Sequence, residues 1–403
     1  MRLTCAIGLA LALLSQPVAV AAARGAEGTS AWTPGLWTPA AERRYARTLD
    51  ELRLRETSRP GEYRLVGDGI HRFDHLRGIS ITADGTLWVL RAARPSMVFR
   101  VGKPGGWSAE DGMRGARDVV STPSGTAVLV KGQRFGILDD GRWRWSARWP
   151  TDFPGLDVLV MDDGTAWAAH WERLAHFDGS TWKSWSIDDL GVTFTLPFGE
   201  GAITGLGVTP DGSVWAGLTD RDARPAGLTR FDGQGWAEVT PFEGDERIAV
   251  TALDVGADGT LWAVLVPDHD HARAHLARWD GDSWAAWNLP STLGEGHGSP
   301  YGLQAAPDGR VWMRLWADDP MRSDRSDYSD RIVFDGQTWT RLDIRGDDDL
   351  SFAPDGGVWV SSHVDGGHDI FMVDTSRFEP VAVEAAQAYT PGPVASAAEA
   401  PDA

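Results

Sequence analysis

The chain has 403 residues, 24% charged and 42% apolar, with 21 Trp, 47 Gly and a formal charge of −19 at pH 7. So acidic a chain repels phosphate backbones and anionic bilayers, which argues against nucleic acid as a partner and leaves cations, small molecules and protein surfaces. The only cysteine is Cys5, so no disulfide can staple the fold and a packed core has to hold it together.

In chain order, Arg2 precedes an apolar run from Leu3 to Leu14, then Gln16-Pro17 and small residues at Ala19, Ala21 and Ala23. This is the pattern of a secretory signal peptide over residues 1–23, cut near Ala21 or Ala23. A retained anchor is the alternative, since apolar character runs for about the length of a membrane span; Gln16 and Pro17 interrupt it. Cleavage leaves no membrane span in the mature chain, and the expected location is periplasmic, secreted or cell-surface. Residues 24–59 read as an N-terminal extension, with Tyr45, Leu49 and Leu52 on one face of a short helix within 40–56.

From residue 60 to 383 two hexapeptides alternate. The first is ADGTLW at 83–88, PSGTAV at 123–128, DDGTAW at 162–167, PDGSVW at 210–215, ADGTLW at 257–262, PDGRVW at 307–312 and PDGGVW at 354–359. The second ends at Trp107, Trp143, Trp182, Trp236, Trp284, Trp339 and Phe378, as in FDGSTW and FDGQTW. Asp-Gly between apolar runs is a hairpin signal, because glycine accepts the positive φ of a tight turn. Two hairpins per unit make four strands. The first-motif ends are spaced by 40, 39, 48, 47, 50 and 47 residues, so seven such units predict an all-β, seven-bladed β-propeller of four-stranded blades, with the helix outside the ring. Tyr63-Arg64-Leu65-Val66 reads as an outer strand that closes the ring on the last blade. Residues 384–403, rich in Ala and Pro, read as a disordered tail.

In a four-stranded meander the first and third turns emerge at one end. Both Asp-Gly motifs fill those turns, so one face is uniform and the other carries the length variation, at 218–227, 266–274 and 316–330 and in the connections 186–203 and 289–302. Variable loops on a rigid scaffold are where recognition usually resides. Nine of the ten histidines fall in or beside them: His71, His75, His170, His269, His271, His275, His297, His363 and His368; His176 lies near the uniform hairpins. The inner strands are expected to begin near Arg77, Asp118, Asp157, Thr204, Thr251, Tyr301 and Asp349. Converging carboxylates there can hold a divalent cation or a cationic ligand; Arg77 and Arg117 can equally neutralise them as a structural network. The candidate ligand-binding face is Asp118, Asp157, His170, Tyr301, Asp349, His363 and His368. His269 and His271, beside Asp268 and Asp270, are the candidate metal ligands, although their spacing matches no closed zinc motif.

The stretch PDGSVWAGL (210–218) followed by GLTRFDGQGWAEV (227–239) resembles the repeats of the two-component-regulator propeller family. LPSTLGEGHGSPYGLQAAPDGRVWMRL (289–315) resembles a repeat of the virginiamycin B lyase type of propeller. The resemblance covers about residues 60–380 and implies the propeller fold. The lyase comparison further implies a histidine acid/base pair with a bound cation, for which His297 and His363 are the candidates. That family pattern has polar or acidic residues after the second-strand Trp, where this chain has Val89-Leu90, Ala216-Gly217, Ala263-Val264 and Val360-Ser361. The expectation is therefore an exported, monomeric binding module for a small molecule or protein, without catalysis. A metal-assisted lyase or hydrolase at the channel mouth is the alternative, and a purely architectural surface protein a third reading.

Overall fold

The computed structural model describes residues 54–58, 62–65, 76–91, 96–101, 108–109, 113, 115–149, 157–170, 173–191, 201–220, 225–242, 248–267, 274–290, 297–317, 331–342, 350–353, 357–364, 367–374 and 381–388. Apart from one 3-10 turn, Ile187–Leu190, every regular element among them is a strand. Two precede the ring, β1 (Leu54–Glu56) and β2 (Glu62–Leu65). Blade 1 holds β3 (Leu76–Ile81), β4 (Leu87–Arg91), β5 (Met97–Val101) and β6 (Ser108–Ala109). Blade 2 holds β7 (Ala116–Ser121), β8 (Ala127–Lys131), β9 (Arg134–Asp139) and β10 (Arg142–Trp145). Blade 3 follows with β11 (Asp157–Val160), β12 (Ala166–His170), β13 (Arg173–Phe177) and β14 (Trp182–Ser186). Blade 4 is β15 (Gly201–Val208), β16 (Val214–Asp220), β17 (Pro225–Phe231) and β18 (Trp236–Val239). Blade 5 is β19 (Ile248–Val255), β20 (Leu261–Pro267), β21 (His275–Trp279) and β22 (Trp284–Asn288). Blade 6 has β23 (His297–Ala305), β24 (Val311–Ala317), β25 (Arg331–Phe334) and β26 (Thr338–Leu342), and blade 7 has β27 (Leu350–Phe352), β28 (Val358–Val364) and β29 (Gly367–Val373). A last strand, β30, spans Val381–Ala385.

Each blade is an antiparallel meander, and the seven blades of the expected propeller are all present. Burial follows from stacking the blades face to face. Second strands have a neighbouring blade on both sides, so β20 is buried at every position, and β4, β8 and β12 at all but the last. Fourth strands lie at the rim, and β14 and β18 have no fully buried residue.

The tryptophans of the first motif are wedges between blades. Trp88 meets Trp143 of blade 2 edge-on at 5.6 Å, and Trp167 meets Phe231 and Trp236 of blade 4. Trp215 meets Trp279 and Trp284, Trp262 meets Phe334, and Trp312 meets Phe352, each on the next blade. Trp359 packs into one cluster with Phe99 and Val101 of blade 1, so the wedge series runs across the closure. Blade 2 has Val128 at this position. There Phe135 packs against Phe177 and Trp182 of blade 3, and Trp149, only 2% exposed and in one cluster with Val128, meets Trp182 edge-on as Trp88, Trp167 and Trp215 meet the fourth-strand tryptophan of the next blade.

Ring closure uses the N-terminal strand, as Tyr63-Arg64-Leu65 led us to expect. β2 pairs antiparallel with β29 through Glu62–Val373, Tyr63–Met372 and Arg64–Phe371, and Arg64 meets Asp369 at 2.9 Å. The fourth strand of blade 7 is therefore β2 and not a strand begun at Phe378, which lies outside the described residues. Leu54–Glu56, read from the sequence as the end of a helix, is a strand paired with β2; the rest of the 40–53 segment lies outside the described residues, as does the leader. β30 adds to β26 as a fifth strand of blade 6, running two residues beyond the boundary drawn at 383, and Ala388 bridges to Trp287 of blade 5.

Candidate functional site

The uniform face can be taken atom by atom. In FDGSTW, Asp178 accepts the backbone N–H of Ser180 and Thr181 and both their hydroxyls, at 2.7–3.0 Å. Asp232 accepts from Gln234 and Gly235, Asp280 from Asp282 and Ser283, and Asp335 from Gln337 and Thr338. In the other motif Asp84, Asp163, Asp211, Asp258 and Asp308 each accept the N–H two residues on. These donors hold the carboxyls of Asp178, Asp232 and Asp280 below the usual carboxylate range. Asp211 goes down to about 2 despite partial burial, through the hydroxyls of Thr209 and Ser213 and the Arg230 guanidinium. Gly336, at φ 93°, supplies the backbone turn that a side chain would strain. The carboxylates of this face are thus engaged in shaping their own turns.

At the opposite end the inner strands share a different device. Four of them carry an extra residue at equivalent positions: Arg77 in β3, Arg117 in β7, Thr204 in β15 and Thr251 in β19. β23 shifts register likewise between Tyr301 and Gln304. A bulge of this kind bends the strand and re-aims side chains, and is common beside functional sites. These bulges fall at the points where the sequence reading placed the starts of the inner strands. Thr204 Oγ1 donates to the Val250 carbonyl of the next blade. Asp118, half-buried, accepts the Val119 N–H at 2.8 Å; a Cβ at Gly78 of blade 1 would come 3.2 Å from its Oδ1. Asp157, the first residue of β11, is exposed, yet desolvation raises its pKa, and its carboxylate has no hydrogen-bond or ion-pair partner among the described residues.

Deeper along the inner strands lies a polar layer that the sequence reading passed over. Opposite the last residue of the first motif stand Ser80, Asp254, Gln304 and Ser351 in four blades, and Val120, Leu159 and Gly207 in the other three. Ser351 Oγ accepts the Ile81 N–H at 3.2 Å, and Gln304 Nε2 donates to the Leu350 carbonyl at 3.1 Å. Asp254 accepts the N–H of Ala305 and of Val255, both at 2.8 Å, and burial still pushes its carboxyl up to about 6. An Asp centred in an otherwise apolar strand, Leu253-Asp254-Val255, was the available signal.

The remaining candidates scatter. His170 ends β12 opposite Arg173, on the same blade as Asp157. His297 opens β23 opposite Ala317, and Tyr301 lies opposite Arg314. His363 and His368 are register partners across β28 and β29; His297 is on another blade. His269, His271 and Asp349 lie outside the described residues, among which no group of three or more His, Cys, Asp or Glu is placed to hold a metal. His275, counted with the loops, is instead fully buried as the first residue of β21, against Phe242. His176 stacks on Trp167 at 4.4 Å, and burial lowers its pKa. At Gly217, one of the positions after a second-strand Trp, a Cβ would approach Val250 Cγ1 to 2.5 Å, so packing excludes a polar side chain there.

No family model and no curated protein matches the chain. Among solved structures it is similar to a fungal alcohol oxidase of the AA5 family in complex with copper, at 12% identity over 75% of each chain with a TM-score of 0.50. It is also similar to a streptogramin B lyase, at 13% identity over 76% of this chain and 96% of that one, TM-score 0.48. YCF48 bound to a D1 peptide gives 13% identity over 79% and 96%, TM-score 0.48. At these identities the likeness is one of fold, in agreement with the repeat resemblance read from the sequence.

Proposed function

We propose that this chain is an exported propeller that binds a small molecule or a protein on its variable-loop face, around the mouth of the channel, without catalysing a reaction. One observation carries the reading: Asp157 is exposed, its pKa is raised by desolvation, and its carboxylate has no partner among the described residues, at the end of the ring where the inner strands of four other blades bulge. The hairpin aspartates of the other face are occupied by their own turns, which leaves that face little with which to recognise a ligand. Asp118 holds the equivalent register position on the inner strand of blade 2 and adds a second carboxylate to that end of the ring, which suits a ligand carrying a cationic or hydrogen-bond-donating group. The leader read at residues 1–23 supports export.

A thermal-shift panel of small amines, zwitterions and divalent cations tests this on the full chain. At least one probe should raise the melting temperature of the parent protein, and Asp118→Asn with Asp157→Asn should abolish that rise. Asp335→Ala, on the uniform face, should lower the basal melting temperature by about 2 °C for a lost turn acceptor and leave the ligand-induced rise intact. A rise that survives the mouth substitutions, or disappears in Asp335→Ala, overturns the reading.

A further inference from the structure

Blade 2 differs from its neighbours at the outer edge as well as at Val128. Its second hairpin turns on Asp140-Gly141, both at positive φ (46° and 74°), and leads directly into β10, Arg142-Trp143-Arg144-Trp145. Trp143 packs toward Trp88 of blade 1. Trp145, two residues on and so on the same face of the strand, lies against β9 where Gly136 has no side chain; a Cβ there would come 3.0 Å from the indole. Its outer side is open, and at 36% exposure it is the one large exposed apolar side chain among the described residues.

Charge is inverted here. Between residues 131 and 148 stand five cations (Lys131, Arg134, Arg142, Arg144, Arg148) against Asp139 and Asp140, in a chain of net charge −19. Arg134, Arg142 and Arg148 are exposed and their guanidinium groups have no hydrogen-bond or ion-pair partner among the described residues, while Arg144 meets Asp139 at 3.2 Å. The backbone is also open. Ser146 donates its N–H to the Phe135 carbonyl at 2.9 Å, so by alternation the N–H groups of Arg142 and Arg144 turn toward β9 and those of Trp143 and Trp145 turn outward. No described strand pairs with that edge, whereas blades 6 and 7 have theirs covered by β30 and β1.

We propose that β10 is a docking edge that accepts an extended acidic segment of a partner protein as a fifth strand. The partner's backbone takes the outward N–H and C=O groups of Trp143 and Trp145. Carboxylates at alternate positions meet Arg142 and Arg144, and an apolar residue between them covers Trp145. The chain already covers two blade edges in this way, and the local charge complements an acidic strand. A second copy's β10 is a poor occupant, because arginine would face arginine across the pair.

The test titrates a capped decapeptide of alternating Glu and Val into the full-length protein, read by tryptophan fluorescence and calorimetry. Binding should weaken with added salt and fall about tenfold in the Arg142→Glu/Arg144→Glu double variant. It should be lost in Trp145→Pro, which removes an outward N–H at an edge where proline is tolerated. Trp145→Ala, which keeps that N–H, should retain weakened binding, and circular dichroism establishes that each variant folds. The proposal is overturned by no binding to the parent protein, by undiminished binding to the charge-reversed variant, or by equal binding of the Lys-Val decapeptide or of a Glu-Val peptide N-methylated at alternate residues. Preferential binding of heparin or anionic vesicles over the peptide overturns it too, since the edge would then be a charge patch without strand addition.

Discussion

Aspartate does opposite work in two settings of this ring. At Asp178 and its counterparts, convergent N–H and O–H donors favour the anion, so those carboxylates stabilise the fold above the unfolded pKa and lose that contribution as pH falls through the folded one. At Asp254 two N–H donors are not enough to offset burial, and the carboxyl is raised from 3.8 to about 6. The folded state therefore holds a proton between those values that the unfolded chain has released. The stability this group permits is fully present below pH 3.8 and is lost as pH rises toward 6. Asp254→Asn keeps an acceptor for one N–H and removes the charge. It should match the parent protein near pH 4 and exceed it at pH 7 by on the order of 2 kcal/mol. Urea unfolding of both proteins at the two pH values checks this; a variant less stable than the parent at pH 7 would show that the ionised carboxylate holds blades 5 and 6 together.

At the scale of the element, the hairpin is what the sequence wrote most legibly. Asp-Gly, a hydroxyl and a tryptophan recur because each turn needs an acceptor and a positive φ, and each interface needs a wedge. All three demands are local or fall at a fixed spacing. What does not repeat was harder to read. Trp149 stands in for the missing wedge of blade 2 from beyond β10, and nothing in PSGTAV points to it. β30 lies in an Ala/Pro-rich stretch, and its pairing with β26 is a long-range choice without a turn to announce it. If Trp149 fills the wedge volume, Trp149→Ala should cost about 3–5 kcal/mol, as for other buried aromatics, while Trp145→Ala at the open rim costs under about 1. Equal losses in chemical denaturation would contradict the assignment.

Over the whole molecule, a ring of similar blades places the near-constant Asp-Gly turns at one end and the connections of variable length at the other. The sequence carried that separation: constant turns at one end, variable loops at the other. The mouth itself was only partly legible. Asp118 and Asp157 were read as strand starts, but the bulge beside Asp118 and those of β3, β15 and β19 were not, because an extra residue in one strand leaves no compositional trace unless it needs glycine, as at Gly302 with φ 62°. Net acidity likewise hid the cationic edge of blade 2, since a sum over the chain cannot report a local inversion. The central claim is that ligand meets the bulged end of the inner strands. Hydrogen–deuterium exchange with the strongest thermal-shift probe tests it most directly. The account predicts protection in β7, β11 and the bulged stretches of β15 and β19, with the turns at 178–181, 232–235, 280–283 and 335–338 unchanged. Protection of those turns with none at the bulges would contradict it.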